Sequence, residues 1–332
     1  MPCSVVVGGF WGDEGKGKIV SYLALRDKVD FAVRGGSINA GHTVVIHKMK
    51  YALRMIPGAF VYDKCRLLIG PGANVFPKVF MEEMEKTGVR GRVGLDNQCS
   101  IIEDQHVSRD RESSFLSKHI GTTGSGVGPA LEDRVKRIAR LAKDIGELKP
   151  FLTDVSGELN KGLDDGKKVV IEGTQGTFLS LFHGTYPYCT SRDTTASALC
   201  SEVGIGPTSV DNVLLVFKAY MTRVGAGYLP GELPEKEVVK RGWAETGTVT
   251  GRKRRAAPFD FDLAQRAVSL NSATSLAVTK FDVLFPACGH ADRYDSLPNE
   301  AKEFVDQIER RLGVPVDLIG TGPDATDIID RR

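Results

Sequence analysis

Short, nearly unbroken apolar runs recur along the chain at Val5 to Val7, Leu67 to Ile69, Val169 to Ile171, Val213 to Phe217, Leu276 to Val278 and Val316 to Ile319. Runs of that length without polar alternation suit strands buried on both faces of a sheet. Helical patterns lie between several of them. Ala301, Phe304, Val305, Ile308 and Leu312 follow the i, i+3, i+4, i+7 spacing of one helix face, which stops at Gly313. Because strand and helix alternate, the pattern predicts an α/β fold: a mostly parallel, doubly wound central sheet with helices on both faces and long functional loops. Val44 to Met55 departs from this, reading as a hairpin that turns near His47 to Lys50 and adds an antiparallel element.

A chain of 332 residues allows two domains or one large one. Without a repeat, a low-complexity linker or a break in composition, one large domain over residues 1–332 is expected. The 44 basic and 42 acidic residues nearly cancel. No overall field therefore favours nucleic acid or an anionic membrane, and any anion binding must be local. Cys3, Cys65, Cys99, Cys189, Cys200 and Cys288 include no C-x-x-C pair and no zinc spacing with histidine, so they read as reduced packing thiols. Met1 and Pro2 lead straight into Val5 to Val7, and no run approaches the ~18 apolar residues of a membrane span, which makes the cytoplasm the expected compartment.

Directly after the first apolar run comes Gly8-Gly9-Phe10-Trp11-Gly12-Asp13-Glu14-Gly15-Lys16-Gly17-Lys18, then the helical pattern Ile19, Val20, Tyr22, Leu23. Gly12 to Lys18 fit GxxxxGK. Glycines let backbone N–H groups approach phosphate oxygens, and the next helix aims its positive end at the same anion, so the fold is P-loop-like. A standard loop would follow Lys18 with Ser or Thr to hold Mg2+, but that position is Ile19. The metal needs another ligand. Asp13 is the natural candidate, although a carboxylate among phosphates also suits a base acting beside the transferred group.

A second tight loop, Gly35-Gly36-Ser37-Ile38-Asn39-Ala40-Gly41-His42-Thr43, follows the strand-like Phe31 to Arg34 and carries a histidine with little apolar packing to explain it. Thr279-Lys280-Phe281-Asp282 follows another apolar strand, where nucleotide-binding α/β proteins keep base-recognition residues. A carboxylate there can accept from guanine N1–H and the 2-amino group together. Adenine would leave it unpaired, giving discrimination on the order of 10⁴ in favour of GTP over ATP.

WGDEGKGK at Trp11 to Lys18 and NAGHT at Asn39 to Thr43 together resemble the two hallmark loops of the adenylosuccinate synthetase family. The resemblance runs on through IGTTGSGVGPA (Ile120 to Ala130), EGTQGT (Glu172 to Thr177), HGTYPY (His183 to Tyr188), TRVGAG (Thr222 to Gly227), GTVTGRKRR (Gly247 to Arg255), TKFD and TGP (Thr321 to Pro323). It covers nearly the whole chain, in family order.

This resemblance implies a two-step ligation: GTP phosphorylates the 6-oxygen of IMP, and the amine of L-aspartate then displaces phosphate to give adenylosuccinate. Asp13 would be the base at N1 and His42 the acid beside the transferred phosphoryl group. The resemblance implies GTP contacts from Gly12, Asp13, Glu14, Gly15, Lys16, Gly17 and Lys18, from Gly41, His42 and Thr43, and from Arg254, Lys280, Phe281, Asp282, Gly320, Thr321 and Gly322. IMP would meet Asp13 to Lys16, Asn39, Ala40, Gly41, His42, Thr123, Gln175, Thr190 and Arg252, with Arg137 reaching across from the partner in a homodimer. Thr248, Val249, Thr250, Gly251, Arg252, Lys253 and Arg254 would hold aspartate, since guanidinium forks suit carboxylates. Mg2+ would be held by Asp13 and the carbonyl of Gly41.

Departures from the family pattern are Ser37 and Ile38 where many relatives have one residue, Gly320 for a frequent serine, Lys253 for a frequent arginine, and Tyr228-Leu229-Pro230-Gly231-Glu232 in place of PFPTE. The chain looks most like the short archaeal type. Two rival functions remain at this point. One is a guanine-nucleotide switch, which the phosphate loop and TKFD alone permit. The other resembles the phage enzymes that use dGMP, which typically carry serine at the position of Asp13. The Arg252 to Arg255 tetrad also permits a nucleic-acid patch, against which the balanced charge argues.

Overall fold

The computed structural model describes residues 2–247 and 251–332. Ten strands form one sheet: β1 (Cys3–Gly8), β2 (Phe31–Arg34), β3 (Arg66–Ile69), β4 (Val93–Asp96), β5 (Leu152–Thr153), β6 (Val169–Glu172), β7 (Asn212–Lys218), β8 (Ser275–Thr279), β9 (Val316–Gly320) and β10 (Ile328–Asp330). Across the sheet they run β10-β9-β8-β7-β1-β6-β2-β3-β4-β5. All neighbours are parallel except β9 and β10.

Each predicted apolar run is one of these strands, and successive residues serve opposite faces. Val5, Val7, Ile171, Leu215 and Phe217 join one core. Val6, Val170, Leu214 and Val216 join the other. Helices Val155–Asp164, Ala196–Val203, Phe261–Asn271 and Asn299–Leu312 cover the first face. Helix α1 (Lys16–Asp27) and helices Pro77–Thr87 and Val127–Lys136 cover the second. At about 1.5–3 kcal/mol per buried aliphatic side chain, this double burial explains why the strands lack polar alternation. The stripe Ala301, Val305, Ile308, Leu312 is buried as expected, and Gly313 ends its helix in the left-handed conformation at φ 67°.

The predicted hairpin is present as His42–Ile46 against Met49–Leu53, antiparallel. His47 and Lys48 turn it with φ of 49° and 66°, the two positive values that a two-residue hairpin turn requires. The sheet positions the functional loops through its order. From β1 the chain moves to β2 on one side, while β7 lies on the other, so a crevice opens at the carboxyl end of β1.

Candidate active site

A cavity of about 770 Å³ lies at the carboxyl ends of β1, β6, β7 and β8. Eight lysine or arginine side chains line it against three carboxylates, so a nearly neutral protein concentrates positive charge in one place. Polyanions such as nucleotides suit that field.

The phosphate loop shapes one wall. Gly12 and Gly15 have φ of 89° and 87°, where a side chain would be strained. Asp13 holds the same region at φ 65° without being glycine, a cost of about 1–3 kcal/mol that tends to be kept where it serves function. Its carboxylate is exposed to the cavity. Glu14 turns the opposite way: its buried carboxylate accepts from the N–H of Gly12 at 2.8 Å and Phe10 at 3.1 Å and pairs with Lys16 Nζ at 2.9 Å. Glu14 thus braces the loop from inside. Lys16, Gly17 and Lys18 open α1 and line the cavity, so the free amides of a helix N-terminus lie at this wall. Ile19 is fully buried in the core beneath, so the position that normally offers a hydroxyl to metal points away from phosphate.

His42 sits beside this helix end. A Cβ at Gly17 would stand 3.1 Å from His42 Cδ2, so glycine is what lets the two loops meet. The imidazole is buried, and neither nitrogen makes a well-aligned hydrogen bond, the backbone of Ile56 being its nearest such contact. Burial pushes its pKa down to about 4, only partly offset by the Glu172 carboxylate 3.7 Å from Nε2, so it is neutral at pH 7 without ligand. Glu172 is itself held by Arg34 at 2.6 Å and by the Gly58 N–H at 2.6 Å.

The opposite wall is ionic. Arg254 Nε lies 2.8 Å from Asp13 Oδ2, an ion pair without hydrogen-bond alignment. Its other branch bonds Glu245, which also accepts from Lys218 Nζ at 2.9 Å and the Tyr220 hydroxyl at 2.5 Å. Burial, the largest influence on Glu245, pushes its pKa up. The charges of Lys218, Lys280 and Arg254 together outweigh it and hold the carboxyl at about 2.

At the end expected to read the base, Lys280 lines the cavity, whereas Asp282 is not among its lining residues and keeps Oδ1 buried and unpartnered. Phe281 is wholly in the core. Gly322 lines the cavity, and its carbonyl and that of Asp327 accept from Lys18, whose amine burial lowers to about 8. Thr321 turns its hydroxyl inward to Ala291 O at 2.8 Å, and Gly320 packs on Thr279. Gly41 and Thr43 line the cavity with His42.

Of the residues expected to meet IMP, Asn39, Ala40, Thr123, Gln175, Thr190 and Arg252 all line the same cavity. Gln175 donates to Thr190 Oγ1 at 2.7 Å and leaves its own Oε1 buried without a partner. Arg137 lies away from it, exposed at the left-handed end of helix Val127–Lys136. In the expected aspartate loop, Thr248, Val249 and Thr250 fall outside the described residues. Gly251 is exposed, and Lys253 pairs with Glu235 in solvent at 2.6 Å rather than pointing inward.

Several site groups escaped sequence reasoning. Lys218, Glu245 and Tyr220 build the ionic wall. Buried Arg223 donates to the carbonyls of Tyr188 at 2.8 Å and Tyr228 at 2.7 Å, tying together two cavity loops. Asp110 accepts from Thr122 Oγ1 at 2.8 Å and Gly126 N at 2.9 Å, shaping the loop that carries Thr123. The extra residue at Ser37 and Ile38 is absorbed away from the chemistry: Ile38 enters the core and Ser37 Oγ donates to Asn74 Oδ1 at 2.9 Å.

The donors suit a hard divalent cation. Asp13, with its carboxylate, and Gly41 both line the cavity, while the described residues contain no cluster of three His, Cys, Asp or Glu. Mg2+ is usually held in this way, through one or two carboxylates with substrate phosphates completing the shell.

This cavity can hold a chain of phosphates between a loop carboxylate and a buried imidazole, which defines the class as an α/β enzyme handling nucleotides at the end of β1. The family model for adenylosuccinate synthetase matches residues 5–147 and 138–287. Adenylosuccinate synthetase of Thermococcus onnurineus is 54% identical over 336 residues, covering 100% of this chain and 99% of its own. That of Methanocaldococcus jannaschii is 52% identical, covering 100% and 97%. The fully ligated adenylosuccinate synthetase of Plasmodium falciparum superposes with a TM-score of 0.92 at 27% identity over 100% of both chains. Succinoaminodeoxyadenylate synthetase of cyanophage S-2L, bound to dGMP and dATP, shares the fold at a TM-score of 0.84 and 23% identity, covering 99% and 95%. The chain belongs to the adenylosuccinate synthetase family, and its similarity is to archaeal members along their full length.

Proposed function

We propose that this chain joins IMP to L-aspartate at the expense of GTP, forming adenylosuccinate through 6-phosphoryl-IMP. The observation that carries this is the convergence of the Asp13 loop and the His42 loop on one cavity, with Gly17 allowing contact between them. The oxygen at C6 is a poor leaving group until phosphorylated. Asp13 takes the N1 proton, which makes that oxygen nucleophilic toward the γ-phosphoryl group of GTP. Lys18, the α1 amides and His42 receive the developing charge, and Arg252 and Arg254 orient the aspartate carboxylates. Asp13 and Gly41 would hold Mg2+, which when bound neutralises phosphate charge. Asp282 selects guanine through its unpartnered Oδ1.

We take residues 1–332 as one functional unit, because the sheet draws strands from both ends of the chain. A homodimer is supported by the surroundings of Arg137: Val135 and Ile138 beside it are 78% and 67% exposed, an apolar pair that a partner would cover. Among the described residues no helix is long and apolar enough to cross a membrane. We assign the protein to the cytoplasm, where its nucleotide substrates are used.

A coupled assay with GTP or ATP, IMP or dGMP, and aspartate tests this. Adduct, GDP and phosphate should form in equal amounts with GTP, IMP and aspartate together. GTP hydrolysis without adduct would favour a switch protein, and turnover of dGMP in preference to IMP would favour the phage-type activity.

A further inference from the structure

We propose that Glu245 is a positioning residue for the ligation, fixing the guanidinium of Arg254 and the loop it closes in register with the phosphate loop. This rests on the function proposed above. Three features converge on its carboxylate, which is 14% exposed.

The first is an anchor. Lys218 ends β7, is completely buried, and finds in Glu245 its carboxylate partner at 2.9 Å. A buried ammonium needs such a partner, so Glu245 is tied to the central sheet beside β1. Tyr220, stacked on Trp243 with ring centroids 4.5 Å apart, adds a second bond to the same carboxylate. The second feature is a closure. Glu245 O accepts from Arg254 N at 2.9 Å while the two side chains also pair. Gly247 N donates to Arg252 O at 2.8 Å, so 245 pairs with 254 and 247 with 252 at the base of this segment.

The third is a division of charge. Arg254 reaches Asp13 with one nitrogen and Glu245 with another, and Lys280 stands 4.0 Å from Glu245. Holding one arm of the fork limits how far Arg254 neutralises Asp13 and fixes where its remaining donors point. Glu245 borders the cavity itself, and the role drawn for it runs through Arg254, on aspartate binding and on the Asp13 carboxylate.

The test is a cycle of Glu245→Asp and Arg254→Lys. Glu245→Asp keeps a carboxylate in the pocket but shortens its reach to Arg254 and Lys218 alike, since both meet the same Oε2. We expect the KM for aspartate to rise at least tenfold and the KM for IMP to change less than threefold, with a lowered thermal midpoint from the weakened Lys218 pair. In the Arg254→Lys background the same change should add less than threefold, since the partner fork is already gone. A second protein, Glu245→Gln with Lys218→Met, removes the buried pair without stranding either charge, and should keep the raised aspartate KM. A wild-type aspartate KM in either Glu245 variant, or fully additive effects in the cycle, overturns the proposal. If wild-type protein makes no adduct at all, the proposed function has failed, and with it the basis for this role.

Discussion

The two walls of the cavity are built by different routes. Gly8 to Ile19 takes its shape from its own sequence: glycines where φ is positive, a glutamate folded back onto neighbouring N–H groups, and a helix opening at Lys16. The facing wall is assembled from Lys218, Tyr220, Glu245 and Arg254 and closes through side chains instead of backbone. In the function proposed, the local wall is the one that would hold phosphate and the reacting base, and the assembled wall the one that shares charge across from them. Damage to the first should therefore strike turnover. Damage to the second should strike substrate selection.

The sharpest break is Asp13→Asn. Loss of a general base costs on the order of 10²–10⁴ in rate, and kcat should fall by about 10³ while GTP binding stays mostly intact. Retained turnover within tenfold would contradict the base assignment. Next comes Asp282→Asn, in the short helix after β8, where exchanging an acceptor for a donor should erode the preference for GTP over xanthosine triphosphate by roughly 10²-fold or more. Unchanged use of the two nucleotides in a competition assay would remove Asp282 from base reading.

Gly17→Ala probes the seam between the phosphate loop and His42. Alanine is favoured over glycine within a helix by about 0.5–1 kcal/mol, so the thermal midpoint should hold. The added Cβ would press on His42 from 3.1 Å, and a small misplacement of a catalytic group can cost ~10²-fold, so kcat should fall between about tenfold and a hundredfold. Wild-type kcat would show that the contact does not matter. The smallest effect is expected from Lys253→Ala. That side chain is 80% exposed and paired only with exposed Glu235, so the melting temperature should not move and the aspartate KM should shift less than threefold.

The same contrast explains what could be read from sequence. Val5 to Val7 and Val213 to Phe217 announced buried strands because every residue packs on a core, Val213 only partly buried. Strands β4, β5 and β10 did not, since VGLD, a two-residue strand and a short edge strand carry little apolar signal. The phosphate loop was legible as a local motif, including the missing hydroxyl at Ile19. Lys218 and Glu245 were not, because their meaning depends on a contact between residues 27 apart in the chain. One signal was available: a lysine ending the wholly apolar run of β7 must be buried with a partner. Glu172 and Arg223 lay inside recognised motifs, yet only the fold shows one beside His42 and the other tying two loops.

The central claim is that the cavity activates the 6-oxygen of IMP by phosphorylation before aspartate displaces it. Turnover of IMP labelled with ¹⁸O at C6, together with GTP and aspartate, tests it through the mass of the released phosphate. One labelled oxygen per phosphate is predicted, matched by one adduct and one GDP. Unlabelled phosphate alongside adduct would contradict the phosphorylated intermediate and the roles drawn for Asp13 and His42.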